Sequence, residues 1–316
     1  MTVRVRVPTG HGRWIGLGPS AALVAAAAAQ EPGSTLVAAG LRASLGRRYV
    51  LTVEDRPGTV LGAVVLHRVG MAQWDAHPLV VDDRCASQLG GLIDRSPASA
   101  VIGIGPHVAP LVDVLDRSTT IGRSAFFGSA DLNATPPADL DPRSRAATQA
   151  DVAALAELFA GSYRFTRPPD AASWRRSLRQ VVADGFAVVA EVDGEVVGGL
   201  LCGMVSDAWG FGSDTVVVES HRGQGLSWAM ANRMFALVTA QGLMMCGAQV
   251  DENPMDVDRH FVDHGALSGE LWGVALEPHL AWPSVRWRRR QARRIRRRAG
   301  SVGAAAAGQL ARLRDR

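Results

Sequence analysis

The sequence predicts an α/β protein of two successive lobes followed by a basic segment, and three observations carry that prediction. The chain has 316 residues, 47% of them hydrophobic, about twice the ~150 residues that serve as a prior for one domain. The segment Asn133–Arg145 holds three prolines and would continue neither a helix nor a central strand; the stretches on either side of it repeat a similar order of strands and helices. After Pro283 the composition turns to arginine, alanine and glycine, which cannot bury a core. The expected units are residues 1–132, a linker over 133–145, a second lobe over 146–283 and an Arg-rich tail over 284–316.

In the first lobe the pattern predicts a strand at Val3–Val7 and a helix from Pro19 to Gln30. A hairpin follows, pairing Tyr49–Glu54 with Thr59–His67, and then a strand near Pro78–Val81. A helix at Ala86–Ile93, a strand at Ala100–Ile104, a helix at Val108–Leu115 and a strand at Thr120–Phe127 complete that lobe. In the second lobe a short strand ends at Ala146 and Ala147. Thr148 is an N-cap with Asp151 three residues on, and Val152, Leu155, Leu158 and Phe159 follow at helical spacing. A helix from Ala171 to Asp184 stops at Gly185, which suits a left-handed cap. Asp193-Gly194 between the apolar runs Phe186–Val192 and Glu195–Val205 is a hairpin turn. A strand over Gly212–Val218 feeds a helix over Ser227–Gln241, then come a strand at Leu243–Val250, a helix at Met255–His264 and a last strand at Leu271–Leu276.

Composition excludes several chemistries. All 34 basic residues are arginine, so a Walker A phosphate loop, a Schiff-base lysine and a Ser-Lys dyad are ruled out. No G-x-S-x-G is present, which removes a serine-hydrolase elbow. Cys85, Cys202 and Cys246 have no CxxC spacing and read as buried small hydrophobes rather than disulfides or metal ligands. The longest apolar run, Ala21–Ala29, is far short of the ~20 residues that span a bilayer. Met1–Gly10 lacks the apolar core of a signal peptide, so a cytoplasmic location is expected. The tail carries twelve arginines against one acid, a net +11, whereas the rest of the chain carries 22 arginines against 29 acids, a net −7.

The segment that carries chemistry is Val216-Val217-Val218-Glu219-Ser220-His221-Arg222-Gly223-Gln224-Gly225-Leu226-Ser227. A strand that ends in a glycine-containing turn and opens a helix presents a run of unpaired backbone N–H groups, which with the helix dipole make an anion site. Glycine is needed where the backbone must approach phosphates closely. A pyrophosphate fits there.

On these residues the second lobe resembles the GNAT superfamily of acyl-CoA-dependent N-acyltransferases, whose signature is Arg/Gln-x-x-Gly-x-Gly/Ala after a strand. Arg222, Gly225 and Ser227 occupy the three defined positions, with serine in place of the usual Gly or Ala. Asp251-Glu252-Asn253-Pro254-Met255 after the next strand matches a further family block, in which an Asn contacts the CoA arm; Asn253 is its counterpart. The resemblance covers about Arg143–Pro278 and extends by element order to a degenerate first lobe. It implies two tandem lobes, each a mixed, mostly antiparallel sheet flanked by helices, with acetyl-CoA or another acyl-CoA as co-substrate and no metal. Residues 222–227 would bind the pyrophosphate. Backbone donors near Val217 and Val218, where the strand splays from its neighbour, would face the oxyanion. Glu219 and Asp214 are the candidate general bases, with Glu252 nearby. Relatives often use a Tyr on the later helix as general acid, but the only tyrosines here are Tyr49 and Tyr163, and His260 is nearest in place. Because a thiol has a pKa of about 8.5, the leaving thiolate needs no acid to depart. The first-lobe counterpart, Asp82-Asp83-Arg84-Cys85, has no glycine and two acids, and is not expected to bind CoA.

The function expected is transfer of an acetyl or longer acyl group to a primary amine of a small molecule, for example an aminosugar or a natural-product intermediate. The alternative is a catalytically silent acyl-CoA sensor that docks a partner through its tail. Nine arginines between Arg286 and Arg298 suit a solvated tail, an acyl carrier protein or an anionic membrane surface. The acidic body argues against nucleic acid. Three other signals carry less. Asp256, His260 and His264 recur every four residues without a further ligand. Gly16–Ala21 matches a dinucleotide fingerprint without its later acid. Trp209, Phe211, Trp228 and Trp272 serve either a pocket or the core.

Overall fold

The computed structural model describes residues 2–6, 20–42, 48–68, 74–128, 139–160, 171–250 and 267–277. The first lobe runs β1 (Thr2–Arg6), α1 (Ala21–Ala28), α2 (Thr35–Arg42), β2 (Arg48–Glu54), β3 (Val60–Arg68), β4 (Trp74–Val80), α3 (Ala86–Asp94), β5 (Ala100–Ile104), α4 (Gly105–Val112) and β6 (Ser118–Gly128). The second runs β7 (Ser144–Ala146), α5 (Val152–Ala160), α6 (Ala171–Ala183), β8 (Ala187–Val192), β9 (Glu195–Leu201), β10 (Met204–Val205), β11 (Trp209–Gly212), β12 (Asp214–Val217), α7 (Leu226–Ala240), β13 (Met244–Val250) and β14 (Leu267–Leu276). The helix expected over Met255–His264 lies outside the described residues.

Local chemistry sets these boundaries. Ser20 caps α1 by accepting from the Leu23 N–H at 3.2 Å, so the helix starts just after Pro19 rather than on it. Thr148 and Asp151 form the expected capping box, which leads into α5. Asp193 and Gly194 both take positive φ, 53° and 81°, as a two-residue hairpin turn demands, and Gly185 ends α6 at φ 79°. All three cysteines are free and buried. Helix α2 is an addition to the expected elements. It follows Glu31-Pro32-Gly33, a breaker sequence, and contains Gly40, yet it forms because Leu36, Val37, Ala39 and Leu41 are buried against the sheet.

The strands form a ten-stranded sheet in the order β1-β2-β3-β4-β5-β14-β6-β13-β11-β10 and a four-stranded sheet in the order β12-β9-β8-β7. In both lobes a parallel pair, β4 with β5 and β11 with β13, stands beside an antiparallel partner. That partner comes from the other lobe: β14 lies against β5, and β6 lies against β13. Each lobe therefore completes its sheet with the other's last strand, and β6 and β14 pair with each other at the centre. The sheet curls around α1 and α2. These helices pack on Val50, Val65 and Leu79 of the first lobe and on Met204, Trp209, Phe211, Cys246 and Leu271. The opposite face of the first lobe is covered by α3 and α4, α7 covers β8, β9 and β13, and α5 and α6 cover the other face of the four-stranded sheet.

One difference from the expected elements builds the site. The strand expected over Gly212–Val218 is β12, and β11, which precedes it and ends at Gly212, is an addition to the expected elements that serves the other sheet. β11 stays parallel to β13 up to Gly212 and Gly247. β12 then pairs only with β9, after a bulge in which the Ser213 N–H and Asp214 both oppose Leu201. From this point the second lobe opens along β13.

Candidate active site

The site is assembled at the end of β12. The Val218 N–H donates to the Val197 carbonyl at 2.9 Å, so alternation along an antiparallel pair turns the Val217 N–H and C=O away from β9, toward the side that β13 has left. The Val217 carbonyl accepts from Arg222 Nε at 3.2 Å. Its N–H has no partner among the described residues. Val217 itself is fixed by its buried side chain, which packs under α7. Of the two backbone donors expected here, Val217 presents a free N–H and the N–H of Val218 is committed to the sheet.

The chain then makes a short 3-10 turn over Glu219–His221 and reaches Arg222 in extended backbone. Gly223 and Gly225 take φ 75° and 76°, the left-handed region that costs other residues about 1 kcal/mol. A Cβ at either would meet nothing within 4 Å, so the space above the loop is open for a ligand. The first helical hydrogen bond of α7 runs from the Ala229 N–H to the Gly225 carbonyl at 3.0 Å. The N–H groups of Leu226 and Ser227 therefore have no acceptor within the helix and point out of its end. Leu226 anchors the turn with a side chain 2% exposed. Arg143, on the entry to β7, donates to the Gln224 carbonyl at 3.3 Å while paired with Asp141. The sequence carries no signal for this contact, because Arg143 lies far upstream and meets the loop only through the fold.

The candidate acids differ in surroundings. Glu219 is exposed on the 3-10 turn. Asp214 sits on the bulge where the sheets part, half-buried. Burial pushes its pKa up to about 6, against a hydrogen bond from the Ser213 side chain that lowers it. A second carboxylate, not singled out in the sequence, is raised as well. Asp75 on β4 is 1% exposed, its Oδ1 has no hydrogen-bond partner among the described residues, and burial together with the Asp214 charge raises its pKa to about 7. Glu252, Asn253 and His260 lie outside the described residues, as do Asp256, His264 and the Arg-rich tail. Among the described residues no group of His, Cys, Asp and Glu could hold a metal ion, and no helix is long and apolar enough to cross a membrane. Trp209 and Phe211 are core residues against α2, and Trp272 packs under the Arg123 guanidinium, 4.0 Å from its ring centre.

The same turn in the first lobe is closed. Val81 donates to the Leu61 carbonyl at 2.9 Å as Val218 does to Val197, which makes Val80 the counterpart of Val217. The Val80 N–H is taken by His107 Nδ1 of α4 at 3.3 Å. Asp82 accepts from the Arg84 N–H and pairs with the Arg84 guanidinium at 2.7 Å, and Cys85 Sγ donates to the Leu61 carbonyl.

Residues 152–261 match the profile of the acetyltransferase (GNAT) family. The second lobe belongs to this family. Acyl transfer from an acyl-CoA is the chemistry of the GNAT family, and the open glycine turn lies inside the matched span. No curated protein matches the sequence. A GCN5-related N-acetyltransferase from Sphaerobacter thermophilus is similar in structure at a TM-score of 0.54 and 16% identity, covering 87% of this chain and 96% of its own. A GCN5-related N-acetyltransferase from Kribbella flavida gives 0.52 at 16% identity, covering 84% and 98%. Both span this chain on either side of residues 133–145, so the fold they share with it includes both lobes.

Proposed function

We propose that the GNAT lobe transfers an acyl group from acyl-CoA to a primary amine of a small molecule. The observation that carries this reading is the open end of α7, where two left-handed glycines and free helix N–H groups stand beside the unpartnered N–H of Val217. The residues fit the co-substrate. Arg222, Gly223, Gln224, Gly225, Leu226 and Ser227 would hold the pyrophosphate, chiefly through backbone N–H groups and the helix end. The acyl-CoA brings the activated thioester. Val217 N–H would donate to the oxygen on which negative charge develops, as a preorganised donor fixed by the sheet. Asp214, rather than the exposed Glu219, takes the base role, because burial raises its pKa to about 6, close to the range in which a general base works. Asn253 and His260 would serve the CoA arm and the leaving group.

Calorimetric titration with CoA, acetyl-CoA and a long-chain acyl-CoA tests this directly. Gly225→Glu, which sets a carboxylate where the phosphates would lie, is expected to weaken binding at least ~100-fold (about 3 kcal/mol) with the circular dichroism spectrum unchanged. Retained binding would sink the proposal. Asp214→Asn is expected to lower turnover of an amine ~100-fold or more and to leave acetyl-CoA binding intact. In the wild type kcat/KM should rise with pH through about 6, as the base loses its proton. Acyl-CoA binding without turnover of any amine would favour a silent sensor.

A further inference from the structure

The glycine loop that would carry the pyrophosphate is held from outside by a side chain on the entry to β7. Gly223 and Gly225 flank Gln224 at φ 75° and 76°, and glycine lets the peptide groups on both sides of Gln224 rotate at little cost. The N–H groups of Gly223, Gln224 and Gly225 donate to nothing among the described residues, so the loop does not set its own peptide orientations. The bond that fixes Gln224 runs from Arg143 Nη2 to its carbonyl at 3.3 Å. A trans peptide sets its N–H opposite its C=O. With the Gln224 carbonyl turned to Arg143, the Gly225 N–H therefore points away from Arg143 and stays unpaired.

Arg143 is itself firmly placed. Its carbonyl accepts from the Glu191 N–H of β8 at 2.8 Å, and its own N–H donates to Asp141 Oδ1 at 2.9 Å. Its guanidinium grips the same carboxylate with two prongs, Nε to Oδ1 at 3.1 Å and Nη2 to Oδ2 at 2.7 Å. Asp141 is fixed in turn, because its carbonyl accepts from the Ser144 N–H at 3.0 Å, from Ser144 Oγ at 2.9 Å and from Arg233 of α7 at 3.5 Å. A forked pair of this kind holds the planar guanidinium in one orientation and aims it. The first lobe shows what such a pair does by itself: Asp82 and Arg84 make the same Asp-x-Arg contact, Nε to Oδ1 at 3.0 Å and Nη2 to Oδ2 at 2.7 Å, and the Arg84 guanidinium reaches no other acceptor among the described residues. In the second lobe the pair is brought against a loop 81 residues downstream.

We propose that Arg143 is a positioning residue of the donor site: held by Asp141, it turns the Gln224–Gly225 peptide so that the Gly225 N–H, and not the Gln224 carbonyl oxygen, faces the pyrophosphate. This deepens the acyl-CoA reading and rests on it. Without the clamp, a peptide between two glycines is free to turn over and set a carbonyl oxygen, with its partial negative charge, where a donor is needed. The effect is confined to the nucleotide end of the donor. The pantetheine arm, which carries no pyrophosphate, gains nothing from it.

Calorimetric titration of the full chain with CoA and with pantetheine separates this role from a structural one. The wild type should prefer CoA, and Arg143→Gln should lower that preference, read as the ratio of the two Kd values, about tenfold, with the circular dichroism spectrum unchanged. Damage to the fold weakens both probes together, so an unchanged ratio overturns the proposal. Asp141→Asn tells the clamp from a direct contact. If Arg143 bound a phosphate itself, removing the carboxylate beside it would tighten CoA binding. In the clamp that substitution releases the guanidinium from its place, and CoA binding should weaken severalfold while pantetheine binding holds. Tighter CoA binding by Asp141→Asn overturns the proposal. Absence of CoA binding by the wild type would sink the acyl-CoA reading and the clamp with it, whereas wild-type binding with an unchanged ratio in Arg143→Gln sinks the clamp alone.

Discussion

The two lobes carry the same strand-to-helix turn, and they differ in what covers it. At the end of β4 the Val80 N–H is accepted by His107, Asp82 and Arg84 seal each other, and Cys85 packs so tightly on Gly62 that a Cβ there would lie 2.5 Å from the sulfur. At the end of β12 the equivalent N–H, that of Val217, has no partner among the described residues, and the turn is lengthened by a loop whose two left-handed glycines have nothing described within 4 Å of where a Cβ would stand. The strand end and the short 3-10 turn that follows it are common to both. The turn stays open in one lobe because glycine leaves its donors uncovered, and it is closed in the other because ordinary side chains satisfy them. A binding turn is thus defined as much by which groups stay unpaired as by which are present.

The largest expected effect comes from separating the lobes that this comparison treats as units. Because β14 fills the first lobe between β5 and β6, and β6 borders β13 in the second, a chain of residues 1–138 would leave the facing edges of β5 and β6 without the strand that joins them. Such unpaired edges aggregate. Expression of either lobe alone should give insoluble or unfolded protein, whereas co-expression of residues 1–138 with 139–316 should restore a soluble complex by size-exclusion chromatography. Soluble, cooperatively melting single lobes would show that the exchanged strands are dispensable.

A smaller effect sharpens the contrast at the turn itself. His107 is 3% exposed, and burial holds its pKa below the ordinary histidine value, so it stays neutral with Nδ1 as acceptor for Val80. His107→Ala strands a buried N–H and leaves a cavity, which should cost about 2 to 4 kcal/mol in urea unfolding. It should not create acyl-CoA binding, because Asp82 and Asp83 remain where phosphates would sit and no left-handed glycine opens the turn. Gain of acetyl-CoA binding by this variant would mean that His107 alone distinguishes the two lobes.

Much of this is legible in the sequence. The hairpin, the capping box and the end of α6 follow from Asp193-Gly194, Thr148 with Asp151, and Gly185, because turn and cap chemistry is local. The glycine loop is legible for the same reason, and the family profile matches it. The exchange of β6 and β14 is not, since strand partners are chosen by burial across the whole sheet and leave no mark at a fixed spacing. Strand β11 is hidden because it is only four residues long and holds Gly210 and Gly212, and nothing local says that it joins a different sheet from β12. Asp75 gives no signal either: one aspartate in an apolar strand becomes informative only once its lack of a partner is seen.

That isolation also has a counterpart whose surroundings are the reverse. Asp151 is buried in the second lobe, but Arg145 bonds it at 2.8 Å and the Thr148 N–H donates to it at 2.7 Å. The Arg145 hydrogen bond, first among these causes, lowers its pKa to about 2. A carboxyl depressed on folding stabilises the protein fully above its unfolded value of 3.8 and loses that contribution as pH falls through about 2. Asp75, raised to about 7, works in the other direction: the folded state binds a proton more tightly than the unfolded one, so stability declines as pH rises from about 4 to 7. Asp151→Asn should therefore cost about 1 to 2 kcal/mol at neutral pH, discounted for the partial exposure of Arg145, and cost less at pH 3. Asp75→Asn should be stabilising at pH 8 and nearly neutral at pH 4. Since the exchanged strands tie both lobes into one cooperative unit, both effects should appear in the single main unfolding transition. Opposite pH slopes in the two variants would show that pairing, rather than burial as such, sets the two carboxylates apart.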